Sequence, residues 1–373
     1  MESKRKLKIW VMTNEFQPNI IGGLGIVSTF LSRALSKNGV KVTVLCSGFS
    51  NRLMTSSPTT NLRLLRLPKK STHFNRAKHS FKANMVMRAA SAKGCSKPDL
   101  IHVHSTEFAD TAAKAGDQFH IPIVYSCHSM ASQGIFSQPG KNQAKLIRIA
   151  RRIIVPSRWQ VGAIKKRYLR TNRGKIVVIP HGVKPVSKRS FGAPTNLLYV
   201  GRLIPSKGIK PLIEAIALLS RRHKHVRLTI VGSGKARYQK KLRALARQVG
   251  VAKRIRWIKN RSYDAVQRMY ASYGAVIVPS KTESFCLVAL EAMANGVPLV
   301  STLSGGLKEF VNTRNAQIIP SVNKASIARA IEALWRNPIK SKIRQINARS
   351  TAARYRWPAI ARQYKTLFMK CRR

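Results

Sequence analysis

A chain of 373 residues is too long for one ordinary core and suits two domains of about 150 to 200 residues each, and its 44% hydrophobic content is enough to fill both. Seventy Lys and Arg face only 12 Asp and Glu, a formal charge of +58, so the surface should attract polyanions in a salt-dependent way. Five scattered cysteines without a C-x-x-C pair or an even-numbered framework favour a reducing compartment and argue against structural zinc, and no apolar run reaches the roughly 18 residues of a membrane-spanning helix.

The amino terminus, MESKRKLKIWVMTNEF, begins basic, but its apolar run is only about five residues and lacks a small-residue cleavage site, so KIWVMTN reads as a first strand and not as a signal peptide. The loop EFQPNIIGGLG follows, then a helical pattern, IVSTFLSRALSKN, closed at Gly39. VKVTVLC, LIHVHS, IPIVYSCHS and RIIVPS are further short β-rich runs separated by helical or loop material. Residues 181–194, HGVKPVSKRSFGAP, are rich in Pro, Gly and cations, and a domain boundary is expected near residue 187. The pattern then restarts with TNLLYVGRL, IKPLIEAIALLSRR, VRLTIVGSG, RIRWIKN, GAVIVPS and PLVST. Strands alternating with helices predict an α/β fold with a parallel sheet covered on both faces, and two series predict two doubly wound domains. The last stretch, RYRWPAIARQYKTLF, reads as a helix interrupted at Pro358.

In such sheets ligands bind beyond the carboxyl ends of the strands, which directs attention to four loops. IIGGLG carries Gly22, Gly23 and Gly25, whose backbone amides could approach an anion at a helix start, although it is not G-x-G-x-x-G and no acid follows the second strand to hold a ribose. GRLIPSKG places Arg202 and Lys207 around a turn that opens a helix, and VGSG offers small residues at a strand end. The fourth, TESFCLVALEAMANGVPLVS, holds two of the twelve acids in an otherwise apolar segment. It reads as a loop with Glu283, then a helix whose first amides, near Leu287 and Val288, are free for a phosphate, with Glu291 in its second turn. Both carboxylates should face one cleft, but eight residues of helix advance about 12 Å, so they should have different tasks. His102 and His104 fall on one face of a strand; without a third ligand they are expected to line a cleft and not to hold a metal.

The E-x7-E segment, with GRLIPSKG, VGSG, EFQPNIIGGLG, PDLIHVHS, IPIVYSCHS, IVPS, IPHGV and RYRWPAIARQY in this order, resembles the retaining GT-B-fold glycosyltransferases of the large family that includes sucrose synthases and many bacterial cell-envelope enzymes. The resemblance covers nearly the whole chain. It implies a GT-B fold, two Rossmann-like doubly wound domains facing across a cleft. Residues 1–187 would be the acceptor-side domain, 188–355 the nucleotide-sugar-binding domain, and 356–373 a helix packing back across the domains.

By the same resemblance Glu283 contacts the donor sugar and Glu291 holds the ribose hydroxyls. Arg202 and Lys207, with the Leu287 and Val288 amides, neutralise the diphosphate. Gly22 and Gly23 approach the phosphates from across the cleft, and His128 lies near the donor sugar. Closure of the cleft would complete the site. No D-x-D motif is present, so neither a metal nor a cofactor is expected, and the nucleotide-sugar is a substrate. Three positions depart from the family pattern: Cys286 stands where Gly is usual, NTRNAQ replaces an acidic, Gly-containing loop, and Asn323 stands where an acid is common.

The function expected is transfer of a hexose from a nucleotide-diphosphate sugar, a UDP-hexose, to a lipid-linked or cell-envelope acceptor. The protein is expected to be cytoplasmic, with a variant in which the basic surface holds it to the cytoplasmic face of an anionic membrane. The alternative is a polyanion-binding protein on a catalytically decayed scaffold, and a remoter one is a sugar-nucleotide epimerase. Nucleic acid is expected to bind only non-specifically, because the cations are spread through every region and no nucleic-acid-binding motif is present.

Overall fold

The structure is a computed structural model that describes residues 6–48, 50–68, 74–131, 134–168, 173–186 and 192–372. The chain divides into two compact units, Met1–Gly182 with Trp357–Arg373, and Val183–Arg356. The boundary predicted at residue 187 lies outside the described residues.

The first unit is built from β1 (Lys8–Thr13), α1 (Gly23–Lys37), β2 (Lys41–Ser47), β3 (Met54–Thr59), β4 (Leu62–Leu67), β5 (Phe74–Asn75), β6 (Ser80–Phe81), α2 (Ala83–Ala92), β7 (Leu100–Val103), α3 (Ala109–Phe119), β8 (Ile123–Ser126), α4 (Gln138–Ile149), β9 (Arg152–Val155), α5 (Arg158–Arg167) and β10 (Ile176–Val178). Its eight-stranded sheet runs β10-β9-β8-β7-β1-β2-β4-β3 and is parallel except where the edge strand β3 pairs antiparallel with β4. β1, β7 and β8 are almost entirely buried, as strands covered on both faces must be, which is why they read as continuous apolar runs.

The second unit holds β11 (Asn196–Val200), α6 (Ile209–Arg222), β12 (Arg227–Val231), α7 (Ala236–Gln248), β13 (Ile255–Ile258), α8 (Tyr263–Tyr270), β14 (Ala275–Val278), α9 (Leu287–Asn295), β15 (Leu299–Ser301), β16 (Gln317–Ile318), α10 (Lys324–Arg336) and α11 (Pro338–Ala353). Its sheet, β13-β12-β11-β14-β15-β16, is wholly parallel. Two apolar cores flank it. One packs Ile213 and Ile216 of α6 with Ile327 and Ile331 of α10, and the other packs Leu290 and Met293 of α9 with Phe285 and Phe310.

The last helix, α12 (Trp357–Arg372), belongs to the first unit, where it lies against α1 and stacks Trp357 on Phe30 at 6.2 Å between ring centroids. Two sequence expectations need correction here. Pro358 does not interrupt this helix but stands in its first turn, where a missing N–H removes no intrahelical bond. The helix after the glycine-rich loop begins earlier than its apolar pattern, at Gly23, so that Gly23 and Gly25 lie within its first turn and only Gly22 precedes it.

Candidate functional site

In the second unit the chain leaves β11 for β12 on one side, while β14 lies on the other, so the sheet has a switch point between β11 and β14. The loops after these two strands lie side by side: the Lys281 amide donates to the Ser206 carbonyl at 2.8 Å. That register brings together residues 76 positions apart, for Lys207 Nζ donates to Glu283 Oε1 at 2.6 Å, and the Ser280 hydroxyl donates to the same oxygen at 2.7 Å. Glu283 is buried, and its peptide is wedged against the loop after β15, where the Gly306 amide donates to the Glu283 carbonyl at 2.8 Å. At Gly305, with φ of 60°, an added Cβ would stand 2.2 Å from the Glu283 carbonyl oxygen, so only glycine lets this loop close on the carboxylate's backbone. The loop after β12 closes in the same way, since a Cβ on Gly232 would meet the Gly201 carbonyl at 1.9 Å. At these two glycines the backbone of one loop lies directly against that of its neighbour. Arg202 extends from the loop after β11 with its side chain exposed, and the Tyr199 hydroxyl anchors its carbonyl at 3.0 Å.

α9 starts at Leu287 directly after this pair, so the amides of Leu287 and Val288 belong to the helix's unsatisfied first turn. The residue before it, Cys286, has φ of 83° and ψ of 82°, a left-handed conformation that costs a side-chain-bearing residue about 1 to 2 kcal/mol. Burial first, and the Glu283 carboxylate second, hold the Cys286 thiol well above its usual range, so it is an unreactive neutral group.

Glu291, one turn further, is buried in its entirety. The Tyr270 hydroxyl donates to its Oε2 at 2.9 Å, while Oε1 has no hydrogen-bond partner. Burial raises its pKa to about 7, and the Tyr270 hydroxyl and the nearby Gln267 amide pull in the opposite direction. The two acids do not share a partner: Glu283 is ion-paired, and Glu291 is held by a neutral phenol.

In the first unit the corresponding switch point lies between β1 and β7. There the Ser105 hydroxyl donates to Asn14 Oδ1 at 2.7 Å and accepts from the Asn14 amide at 2.8 Å, and Asn14 Nδ2 donates to Glu107 at 3.0 Å. The glycine-rich loop is organised by a residue that the sequence did not single out. Glu15 Oε2 accepts from the Ile21 and Gly22 amides at 2.8 and 3.0 Å, so the Gly22 amide is engaged by the chain's own carboxylate.

His102 and His104 do not line a cleft. They are buried at 0% and 2% exposure and form part of a hydrogen-bonded row: Ser126 Oγ with His102 Nε2 at 2.8 Å, His102 Nδ1 with His104 Nε2 at 3.2 Å, and His104 Nδ1 with His128 Nε2 at 2.9 Å. His181 stands next, 5.3 Å from His128 between ring centroids. The physical reason for the correction is α12, which covers His102 with Tyr364 and Phe368. Burial lowers the pKa of His102 to about 3 and that of His128 to about 4, and it holds His104 and His181 well below the usual range, with neighbouring imidazoles adding to the effect on all but His128. The row is therefore neutral at pH 7 and presents His128 as an uncharged hydrogen-bonding group. Among the described residues, no group of three or more His, Cys, Asp or Glu is arranged to hold a metal ion.

The predicted residues thus form two sets. Arg202, Lys207, Glu283, Leu287, Val288 and Glu291 gather at the switch point of the second unit, and in the first unit Gly22 and His128 stand in loops and Gly23 at the start of α1. Sequence reasoning missed Ser280 and Tyr270, which hold the two carboxylates, and Glu15. Only Glu15 left a signal, as one of twelve acids in a basic chain.

Comparison with known proteins matches this architecture. The sequence profile of the family described as Glycosyl transferases group 1 matches residues 184–351, and that of Glycosyltransferase Family 4 matches residues 21–186. An uncharacterized glycosyltransferase of Methanocaldococcus jannaschii is 30% identical over 331 residues, which span 82% of this chain and 83% of that protein. Sucrose-phosphate synthase from Thermosynechococcus elongatus superposes with a TM-score of 0.82 at 22% identity, covering 98% of this chain and 99% of the other. HepE of Anabaena, solved in complex with UDP and glucose, gives a TM-score of 0.77 at 20% identity, covering 98% of this chain and 100% of that one. The fold is the α/β GT-B fold, with two Rossmann-like units built on parallel sheets.

Proposed function

Because this chain belongs to the glycosyltransferases of group 1 and family 4, we propose that it transfers a hexose from a UDP-hexose to an acceptor hydroxyl with retention of configuration, without a metal or cofactor. The observation that carries this reading is Glu291 Oε1, a buried carboxylate oxygen without a partner, on the helix that begins beside the Lys207–Glu283 pair. A ribose diol is a pair of adjacent donors that such an oxygen can accept. The UDP and glucose bound by HepE support the choice of donor.

Arg202, Lys207 and the Leu287 and Val288 amides stabilise charge on the diphosphate as the anomeric C–O bond breaks. Glu283 contacts the donor sugar. The acceptor oxygen bonds to the anomeric carbon on the face that the diphosphate leaves, and its proton passes to a leaving phosphate oxygen. No carboxylate is consumed as a nucleophile, which agrees with a Glu283 tied to Lys207. The acceptor is a lipid-linked or cell-envelope glycan reached from the cytoplasmic side. No helix among the described residues is long and apolar enough to cross a membrane.

Calorimetry with UDP, GDP, ADP and pyrophosphate at about 0.5 M salt, where exposed charges are screened, tests the donor site on wild type and Glu291→Gln. UDP binding that survives salt and weakens in the variant is expected. The strained Cys286 and the +58 charge favour a second reading, a polyanion binder on a decayed scaffold. Pyrophosphate binding equal to that of any nucleotide, lost in salt and indifferent to Glu291, would establish that reading instead.

A further inference from the structure

We propose that α11 of the second unit is a membrane-contacting helix, which seats an aliphatic ridge in the acyl boundary of an anionic lipid surface and its lysines among the headgroup phosphates. Large exposed apolar side chains normally occur singly. On α11, however, Ile339, Ile343 and Ile346 are 76%, 53% and 61% exposed. Their spacing of i, i+4 and i+7 puts all three on one line of the helix, about 10 Å long, at 1.5 Å per residue. Ser350 and Ala353 continue the same line and are exposed, while Ser341, Ala348 and Ala352 on the opposite side are buried against the unit. The helix is therefore docked through its small residues and turns its large ones outward.

The borders of the ridge identify its partner. Lys342 stands on one edge and Lys340 on the other, both exposed, and exposed Arg336 and Arg354 stand at its two ends. No acid follows Glu332 in the sequence. A second copy of the chain would set these cations against their counterparts with no carboxylate to pair them. Nucleic acid would use the lysines but leave the isoleucines in water. Protein hot spots favour Trp, Tyr and Arg seated in pockets, whereas this is a convex, purely aliphatic ridge. An anionic bilayer satisfies both components, because a helix with an apolar line flanked by cations lies in the interface plane. The proposal does not depend on the transferase reading, since it requires neither donor nor turnover.

The test is flotation with phosphatidylcholine vesicles and with vesicles that also carry phosphatidylglycerol, at about 0.3 M salt to suppress generic charge binding. Wild type should bind only the phosphatidylglycerol vesicles. Ile339→Ser/Ile343→Ser/Ile346→Ser should lose about a hundredfold in partitioning. Arg237→Ser/Lys240→Ser/Lys241→Ser, which removes three exposed cations from α7, should retain most of the binding. Ile343→Trp should add quenching by brominated lipid above the wild-type level, a readout that keeps the proposal testable even if the triple variant is unstable. Wild type that fails to float, or a folded triple variant that floats as wild type does, would overturn the proposal. So would a wild-type dimer that the triple variant abolishes without any vesicle binding by either, which would make the ridge a self-association surface.

Discussion

Replacing Glu291 by Gln isolates the most strongly perturbed acid of the site. The folded carboxyl has a pKa of about 7 against an ordinary value of 4.5, a displacement worth about 3 kcal/mol. Below pH 4.5 the folded and unfolded chains both hold the proton. Between pH 4.5 and about 7 only the folded chain holds it, so this group's contribution to stability falls as pH rises, and above about 7 the loss is complete. Gln keeps an acceptor for the Tyr270 hydroxyl but cannot ionise. The variant should therefore match wild type near pH 4.5 and exceed it by about 3 kcal/mol at about pH 8, even as it weakens nucleotide binding. Urea denaturation of both proteins across this range measures the difference, and the subtraction removes every other titrating group. A difference constant to within about 0.5 kcal/mol would mean that Glu291 ionises normally in the folded state and would refute the argument.

Three further outcomes are expected. Lys207→Met leaves the buried Glu283 without its cation and should cost about 2 to 3 kcal/mol, most of it recovered in Lys207→Met/Glu283→Gln; equal losses in both variants, by urea denaturation, would count against the pairing. Cys286→Gly should be more stable than Cys286→Ala by about 1 kcal/mol, because only glycine removes the left-handed strain; thermal melts of the pair decide this. His128, with its folded pKa of about 4 below the ordinary 6.5, contributes stability that is complete above pH 6.5 and is lost as pH falls toward 4. In His128→Gln the acid limb of the stability profile should lose about one proton's slope, and an unchanged limb would show that His128 is protonated in the folded protein.

Much of the fold was legible because buried parallel strands leave unbroken apolar runs, as in IWVM and IVYS, and because the helices between them carry a one-sided apolar face. β3 was not legible, since all six of its residues are exposed and Pro58 disguises a strand. α11 was missed for a different reason: its large apolar side chains point to water, so periodicity marks a face that is not the core. In the site, Glu283 and Glu291 stood out through the scarcity of acids, and Arg202 and Lys207 through their turn. The ion pair itself joins residues 76 apart and exists only because β11 and β14 are neighbours. Likewise the imidazole row draws on three separate segments, and nothing in HVH or CHS announces that a distant helix will seal it.

That helix also sets an order on biosynthesis. The strands of the first unit leave the ribosome first, yet the side chains that finish it, Trp357, Ile360, Tyr364 and Phe368, are translated only after all of Val183–Arg356. At about 5 to 20 residues per second that interval lasts on the order of 10 to 35 s. At its end the second unit, continuous in sequence, has everything it needs to fold, while the first has carried an apolar seat open to water all along. Nascent chains stalled before Trp357 should therefore be clients of holding chaperones and prone to clumping, whereas the released chain, refolding with all its parts present, should escape both.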